Sequence, residues 1–419
     1  MGGNAAYITK GIRILFWLGC AALPWIDLCP LSIYALGATG ALLSISLPTL
    51  SLKPLKKPDP LTVVFFLFYA LQLAGFLAYP GEQDNRFSLE QKASFVLVPV
   101  LLMLLYRRDP DVWVSGVKGF LTGLVAAGLY CLAQAFIRYA GQGQADGFFY
   151  HSLAGGIQAN AIYFSLHLLT GLCLLIHYQQ KKQLFRQAVP AIAVGSFFFL
   201  LILLLSSRIL IVLSTVVLLS FFIRMISVPA RRWGVTGGII ALVISVFLFQ
   251  NPVRERYQQI ELHSVGEVLR GESFKDYPFN GLDLRVFLLR LGKEVLQEDG
   301  RWMLGAGGRN YHEVLNRRMQ GYQLFAGDSQ TGDTGYLNYN LHNQYMENMI
   351  QYGIAGLLVL LLLLGLAIRE GRRRSPVLLV LTLVYCVAFL TESVLETQSG
   401  VLLFTIFIYG EWKQARWSN

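Results

Sequence analysis

Hydrophobic runs of membrane-crossing length recur from one end of the chain to the other, separated by short polar stretches. Twelve are recognisable, over 11–27, 31–49, 61–79, 93–106, 112–138, 159–178, 187–205, 209–224, 235–250, 343–368, 376–392 and 399–412. A hydrocarbon core of about 30 Å takes about twenty apolar residues in helical form to cross. The pattern therefore predicts an all-α polytopic membrane protein with about twelve transmembrane helices. Pro24, Asp27 and Pro30 interrupt the first long run and divide it into two spans. One stretch breaks the rhythm. Residues 251–341 carry eleven Lys/Arg and twelve Asp/Glu, and they separate nine N-terminal spans (1–250) from three C-terminal ones (342–419).

Inside that insert the period changes. Residues 284–298, LRVFLLRLGKEVLQE, read as an amphipathic helix with Val286, Leu289 and Leu296 near one face and Asp283 placed to cap its start. Gly305-Ala306-Gly307-Gly308 reads as a turn, and 321–338 as a loop rich in Gly, Asp, Thr and Asn.

Composition sharpens this picture. The chain is 54% hydrophobic and 14% charged, with a mean hydropathy of +0.50, where a soluble domain is nearer a quarter charged. The net charge of +10 raises the question of nucleic acid, but the positions of the cations answer it. Lys53/Lys56/Lys57, Arg107/Arg108, Lys181/Lys182/Arg186, Arg224/Arg231/Arg232 and Arg369/Arg372/Arg373/Arg374 fall on alternate loops, together with Lys10/Arg13 and Lys413/Arg416 near the termini. That asymmetry sets orientation: both termini face the cytoplasm, the insert lies outside, and nucleic acid is not needed to explain the charge. The apolar stretch after Lys10 and Arg13 continues into further spans and does not read as a cleavable signal. Cys20, Cys29, Cys131, Cys173 and Cys386 lie in or beside apolar segments without metal-ligand spacing and are expected to be unpaired packing residues.

Candidate chemistry gathers at the external ends of helices. The runs 235–249 and 355–368 contain no ionisable side chain, whereas ion-coupled transporters usually place one near the midplane. The stretch 187–224 is almost continuously apolar except around Ser206-Ser207-Arg208, which must form a tight external turn. An arginine there can simply snorkel to the interface. Equally, it opens an inward-running helix whose positive end faces outward, which suits a phosphate. Arg285 opens the amphipathic helix. His342 is placed in the first turn of another inward-running helix, with Asn340 as its cap and Tyr345, Met346, Met349 and Gly353 following on one face. Imidazole is the side chain best poised to take a hydroxyl proton near neutral pH. Gly353 and Gly356 suggest close helix packing. Asp328 and Asp333, in GDSQTGD, are a weak candidate for binding a metal, being only two carboxylates in a loop, and no phosphate-cradling loop with Lys-Ser/Thr, GxSxG or HExxH occurs.

In order, these pieces resemble the O-antigen ligase family of bacterial envelope proteins. The likeness rests on SSR at 206–208, LRVFLLRLGKEVLQEDGRWMLGAGGRNY at 284–311, and HNQYMENMIQYGIAG from His342 to Gly356. These match a Ser-Arg at an external helix end, an Arg opening an amphipathic helix, a Gly-x-Gly turn, and a His-Asn followed by Gly-x-x-Gly. The motifs cover about 206–356, while the first five spans contribute only hydropathy. Trp302-Met303-Leu304 precedes Gly305 where the family often has a proline, a difference expected to alter the turn more than the chemistry. The resemblance implies a GT-C-like helical bundle in the bacterial inner membrane with a periplasmic active site. It implies a metal-independent, inverting glycosyltransferase without a cofactor. The donor would be an undecaprenyl-diphosphate-linked glycan and the acceptor a hydroxyl of lipid A-core oligosaccharide, with membrane lipid around both. His342 would be the base, Arg208 and Arg285 would hold the diphosphate, and Arg290, Asn343, Tyr345 and Glu347 would support the substrates.

Two relatives of that chemistry stay open: an O-antigen polymerase and a protein O-oligosaccharyltransferase. A lipid-linked glycan transporter is the non-enzymatic alternative, and the lack of midplane charge and of an evident repeat argues against it. The topology is directly testable. Membrane-impermeant thiol reagents applied outside should label cysteines introduced into 251–341 and miss those at 181–186 or 369–374; the reverse pattern would overturn the orientation.

Overall fold

The computed structural model describes residues 2–46, 59–78, 83–143, 145–225, 233–234, 236–238, 240–241, 244, 264–275, 277–298, 300–308, 310–327 and 335–417. Most of the expected span 235–250 lies outside them, as do Asp328 and Asp333. The described residues are helical, with turns between helices and no strand. The other eleven expected spans all fall on helices. These are α1 (Gly2–Ala21), α2 (Leu31–Ser46), α3 (Pro60–Ala78), then α4 (Gln83–Lys92) leading into α5 (Ser94–Arg108), and α6 (Val112–Gln142). After them come α7 (Ala161–Gln180), α8 (Ala188–Leu204) and α9 (Arg208–Met225). The insert supplies α10 (Ser264–Arg270), α11 (Gly281–Glu298) and α12 (Asn310–Gly321), and the chain closes with α13 (Gln344–Arg374), α14 (Pro376–Ala388) and α15 (Gln398–Trp417). Five of the described segments are long and apolar enough to cross a membrane: Pro60–Leu77, Ser88–Arg108, Val112–Gln142, Ala161–Gln180 and Gln344–Arg374. This is a helical membrane protein.

Ion pairs collect the cationic helix ends on one side of the bundle. Arg13 pairs with Asp109 and Lys413 with Asp59, while Arg416 and Arg374 meet Glu370 at 3.0 and 3.4 Å. At the opposite side, Tyr163 Oη donates to Ser393 O at 3.1 Å and Lys92 meets Glu396. The insert packs at this second side. All five cysteines are free, as expected; Cys20, Cys131 and Cys173 are buried and Cys386 is half-buried, but Cys29 is exposed.

Two local expectations are corrected. The insert's amphipathic helix starts at Gly281, and Asn280, not Asp283, caps it. The Asn280 side-chain oxygen accepts from the backbone N–H groups of Leu282 and Asp283 at 2.9 and 3.0 Å. Its buried face is Phe287, Leu288, Leu291, Val295 and Leu296, one step round from Val286 and Leu289, because the neighbouring aromatics Phe274 and Tyr322 sit against Phe287.

The larger correction concerns α13, which is broken. Tyr352 and Gly353 leave helical geometry, with φ/ψ of −131/16° and 63/−159°. Those values divide it into 344–351 and 354–374. Both ends of the first piece are tied at the insert side of the bundle. Gln344 N donates to Phe389 O at 2.8 Å, and Gln351 Oε1 accepts from Lys92 Nζ at 3.0 Å. The first piece therefore runs across the bundle end, and only the second runs through the bundle.

A broken helix leaves carbonyl and N–H groups without intrahelical partners, and the insert provides them. The turn 301–308 docks into the gap: Ala306 N and Gly307 N donate to Ile350 O and Gln351 O at 2.6 and 2.9 Å, and Trp302 O accepts from Ile354 N at 2.8 Å. Gly353 and Gly356 thus serve the break, not helix–helix packing. A Cβ at Gly353 would overlap Met303 O, and one at Gly356 would lie 2.5 Å from Asn348 O.

Gly353 occupies a backbone region that only glycine adopts readily. Gly353→Ala should lower the unfolding midpoint in detergent, with a cost of at least about 1–3 kcal/mol. Gly365→Ala, where a Cβ meets nothing within 4 Å, should be neutral or slightly stabilising. Equal effects of the two would remove the case for the break.

Candidate functional site

The segment between α13's neighbours at the insert side carries the polar groups. Asn343 is the N-cap of α13, its side chain accepting from Met346 N at 2.9 Å. His342 therefore lies before the helix and not in its first turn. The residue is held in a left-handed backbone (φ 47°), uncommon outside glycine but adopted by His, Asn and Asp more often than by other side chains. Asn340, expected to cap this helix, does not; its side chain accepts from His342 N at 3.1 Å in the turn that precedes the helix.

Glu392, just beyond α14, joins two of the expected residues. His342 Nδ1 lies 3.1 Å from Glu392 Oε2, and Arg285 Nη2 donates to Glu392 Oε1 at 2.5 Å. Arg285 also donates from Nε to Thr391 O (3.1 Å) and from Nη1 to Gly281 O (2.7 Å). Three of its five N–H groups are thus engaged, on a side chain 30% exposed. The His342 side chain is 25% exposed, and the carboxylate between them only 6%. Burial alone would push the Glu392 carboxyl up, but the hydrogen bond and charge of His342, with the Arg285 guanidinium, outweigh it and hold the group below its usual range.

Behind this triad sits a second, fully buried cluster. Glu347 accepts from Leu341 N at 2.9 Å and from Ser393 Oγ at 2.7 Å. It thereby ties the residue before His342 to the residue after Glu392. Ser393 Oγ accepts in turn from Asn343 N at 3.2 Å. Beneath it, Lys92 Nζ meets both oxygens of Glu396 at 2.9 and 3.0 Å, and Gln344 bridges Leu395 N and Asn348. A buried ion pair broken on one side costs about 3–5 kcal/mol, so this cluster fixes the floor of the site.

Of the remaining expected residues, Arg208 is the first residue of α9, half-buried beside buried Ser206 and Ser207. An apolar groove of about 270 Å³ runs between α7, α9 and α14, with Leu213 and Val387 at its insert-side end. Arg208 and Glu392 each lie five residues beyond those, which puts both at the same end of the bundle. The structure does not bring Arg290 to His342. It knots the insert instead, donating to Glu294 (2.8 Å), Val268 O (2.9 Å), Gly271 O (2.8 Å) and Tyr322 Oη (2.7 Å). Tyr345 Oη donates to Cys386 O at 2.9 Å, and Asn343 Nδ2 to Leu390 O at 3.0 Å. Glu347 faces inward, away from the exposed edge of His342.

Glu392, Glu396 and Lys92 are not expected from the sequence. Their one local signal is TESVLET at 391–397, two carboxylates in a short loop between apolar runs, opposite the one lysine of the 83–94 segment. No group of three or more His, Cys, Asp or Glu is arranged to hold a metal ion among the described residues. No protein-family model and no curated protein matches the chain.

The lowered Glu392 value makes stability depend on pH in a set direction. A carboxyl whose folded value lies below its ordinary 4.5 contributes stability that is complete above that ordinary value and lost as pH falls through the folded one. Glu392→Gln should therefore lower the unfolding midpoint at about pH 7. The gap from the parent chain should shrink below about pH 4. A gap that is constant with pH would mean that the charge on Glu392 holds nothing.

Proposed function

We propose that this chain is a membrane glycosyltransferase of the O-antigen ligase kind. It would move a glycan from undecaprenyl diphosphate onto a hydroxyl of lipid A-core oligosaccharide at the periplasmic side of the bacterial inner membrane. The observation that supports this best is the His342–Glu392–Arg285 triad, half-open at the end of a helical bundle opposite the cationic helix ends. The placement of those cations supports a cytoplasmic position for the other end.

The geometry suits a base. With Glu392 ionised, His342 Nδ1–H donates to it, which leaves the Nε2 lone pair facing away from the carboxylate. This is the orientation a general base needs. In the transfer, Nε2 takes the proton of the acceptor hydroxyl as its oxygen bonds to the anomeric carbon. On the opposite face the bond from that carbon to the diphosphate oxygen breaks, and the electron pair leaves with undecaprenyl diphosphate. One such displacement inverts the anomeric centre.

The leaving diphosphate gains charge as that bond breaks. Arg208, at the positive end of α9, and the two N–H groups of Arg285 not engaged among the described residues are suited to stabilise it. The apolar groove between α7, α9 and α14 runs from Gln180 and Pro376 at the cationic end up to Leu213 and Val387, and offers the donor's polyprenyl chain a seat. None of these steps assigns a task to a divalent cation.

The acceptor separates the related activities. Purified protein given lipid-linked glycan should transfer it only when lipid A-core is added, and should do so in excess chelator. Lengthening of the donor without acceptor would make it a polymerase, and donor movement without chemistry a transporter. His342→Ala should lose roughly 10²–10⁴-fold in rate while still binding donor. His342→Gln should fail equally, since it is no base; a near-normal rate for it would leave His342 only a positioning role.

Arg208→Lys tests the diphosphate site separately. It keeps the charge and loses the forked donor geometry. The loss of one charge-assisted hydrogen bond, about 1.5–3 kcal/mol, corresponds to roughly 10–100-fold in transfer. An unchanged rate in a folded, inserted variant would make Arg208 an interfacial anchor.

A further inference from the structure

The turn that fills the break in α13 has a second side. Trp302, Met303 and Leu304 are consecutive, large and apolar, and they are 41, 69 and 85% exposed. Three exposed apolar residues in a row are unexpected in a water-facing loop. Gly305, Ala306, Gly307 and Gly308, immediately after them, are buried. The tip of the turn is therefore its open part, while its base is packed within the chain.

Two neighbouring helices give its depth. Trp302 O is bonded to Ile354 N, and Ile354 is 18 residues from Arg372, the first cation of α13's last turn. At about 1.5 Å per residue that is about 27 Å, close to the thickness of the hydrocarbon core of about 30 Å. On the other flank, a Cβ on Gly75 would lie 3.5 Å from Gly308 N. Gly75 is 15 residues, or about 22 Å, from Pro60 at the cationic end of α3. Both rulers put the turn at or inside the outer edge of the hydrocarbon.

The surroundings fit that depth. Ile354, Leu358, Leu361 and Leu362 form an exposed apolar stripe along the second piece of α13, and Leu73 and Leu77 do so on α3. The tip continues both stripes outward. At the base of the turn, Trp302 O and the N–H groups of Gly305, Ala306 and Gly307 are bonded within the protein, as non-helical backbone at this depth requires.

We infer that the turn 301–308 is a re-entrant wedge whose tip, Trp302–Leu304, is seated among the acyl chains of the outer membrane leaflet. The insert is then held down at its centre, between α11 and α12, and not only where its ends enter spans. This inference rests on the chain being a membrane protein and not on the transfer reaction proposed above.

The test needs no substrate. A nitroxide attached at Leu304→Cys, in a chain whose native cysteines are replaced, is placed in nanodiscs of palmitoyl-oleoyl phosphatidylethanolamine and phosphatidylglycerol. Its collisions with oxygen should exceed those with a water-soluble nickel chelate, as at the lipid-facing control Leu358→Cys. The order should reverse at Arg317→Cys, on the exposed face of α12. A nickel-accessible Leu304 site would overturn the wedge, and so would a site shielded from both reagents, which would mean that protein covers the tip. In the chain with its native cysteines, p-benzoylphenylalanine at position 303 should photocrosslink to phospholipid. A crosslinked dimer in place of a lipid adduct would overturn the wedge by showing that a second copy occupies this face.

Discussion

A bilayer interior offers a peptide group no hydrogen-bond partner, and a helix that breaks inside it must be repaired by another part of the same protein. Here the break at Tyr352–Gly353 is repaired by the turn 301–308 of the polar insert. That exchange of bonds turns the first eight residues of α13 across the bundle end. It also brings Gln344, Glu347 and Gln351 under the His342 segment in place of stacking them along a membrane normal. The turn and the break are two halves of one device, although about fifty residues of sequence separate them.

On the repaired break rests a stack of polar layers. Lys92 and Glu396 form the floor; Glu347 and Ser393 lie above them and pin the backbone on either side of the His342–Glu392 pair. His342, Glu392 and Arg285 form the open layer. The left-handed backbone of His342 is held from both sides, by Leu341 N on Glu347 and by the Asn343 cap. Backbone of this kind persists only where its surroundings over-determine it.

Hydropathy alone made the helices legible, because twenty apolar residues in a row have few other outcomes. Ends were less legible. Asn343 and Asn280 cap where His342 and Asp283 were expected to sit at or near a helix start, and in each case an earlier or later Asn competed for the same N–H groups. The break in α13 was hidden because Gly353-Ile354-Ala355-Gly356 is apolar enough to read as continuous helix. Of the candidate site, His342 and Arg285 were visible as polar residues at helix thresholds. Their link through Glu392 was not, since a 50-residue and a 107-residue separation leave no local pattern. Arg290 and Tyr345 share a region with them, but four of the five N–H groups of Arg290 and the hydroxyl of Tyr345 donate to the protein's own carbonyl, carboxylate and hydroxyl groups.

The order of synthesis gives the Lys92–Glu396 pair a further significance. The two partners are 304 residues apart, and Glu396 emerges only just before the last helix. Until then the lysine has no carboxylate to meet, and a lone charge in that position is several kcal/mol out of balance. The early helices α4 and α5 therefore lack this tie until residue 396 has been made. The same late loop delivers Glu392. A nascent chain thus acquires its buried floor and its His342–Glu392–Arg285 layer together, once residues 392–396 have been made.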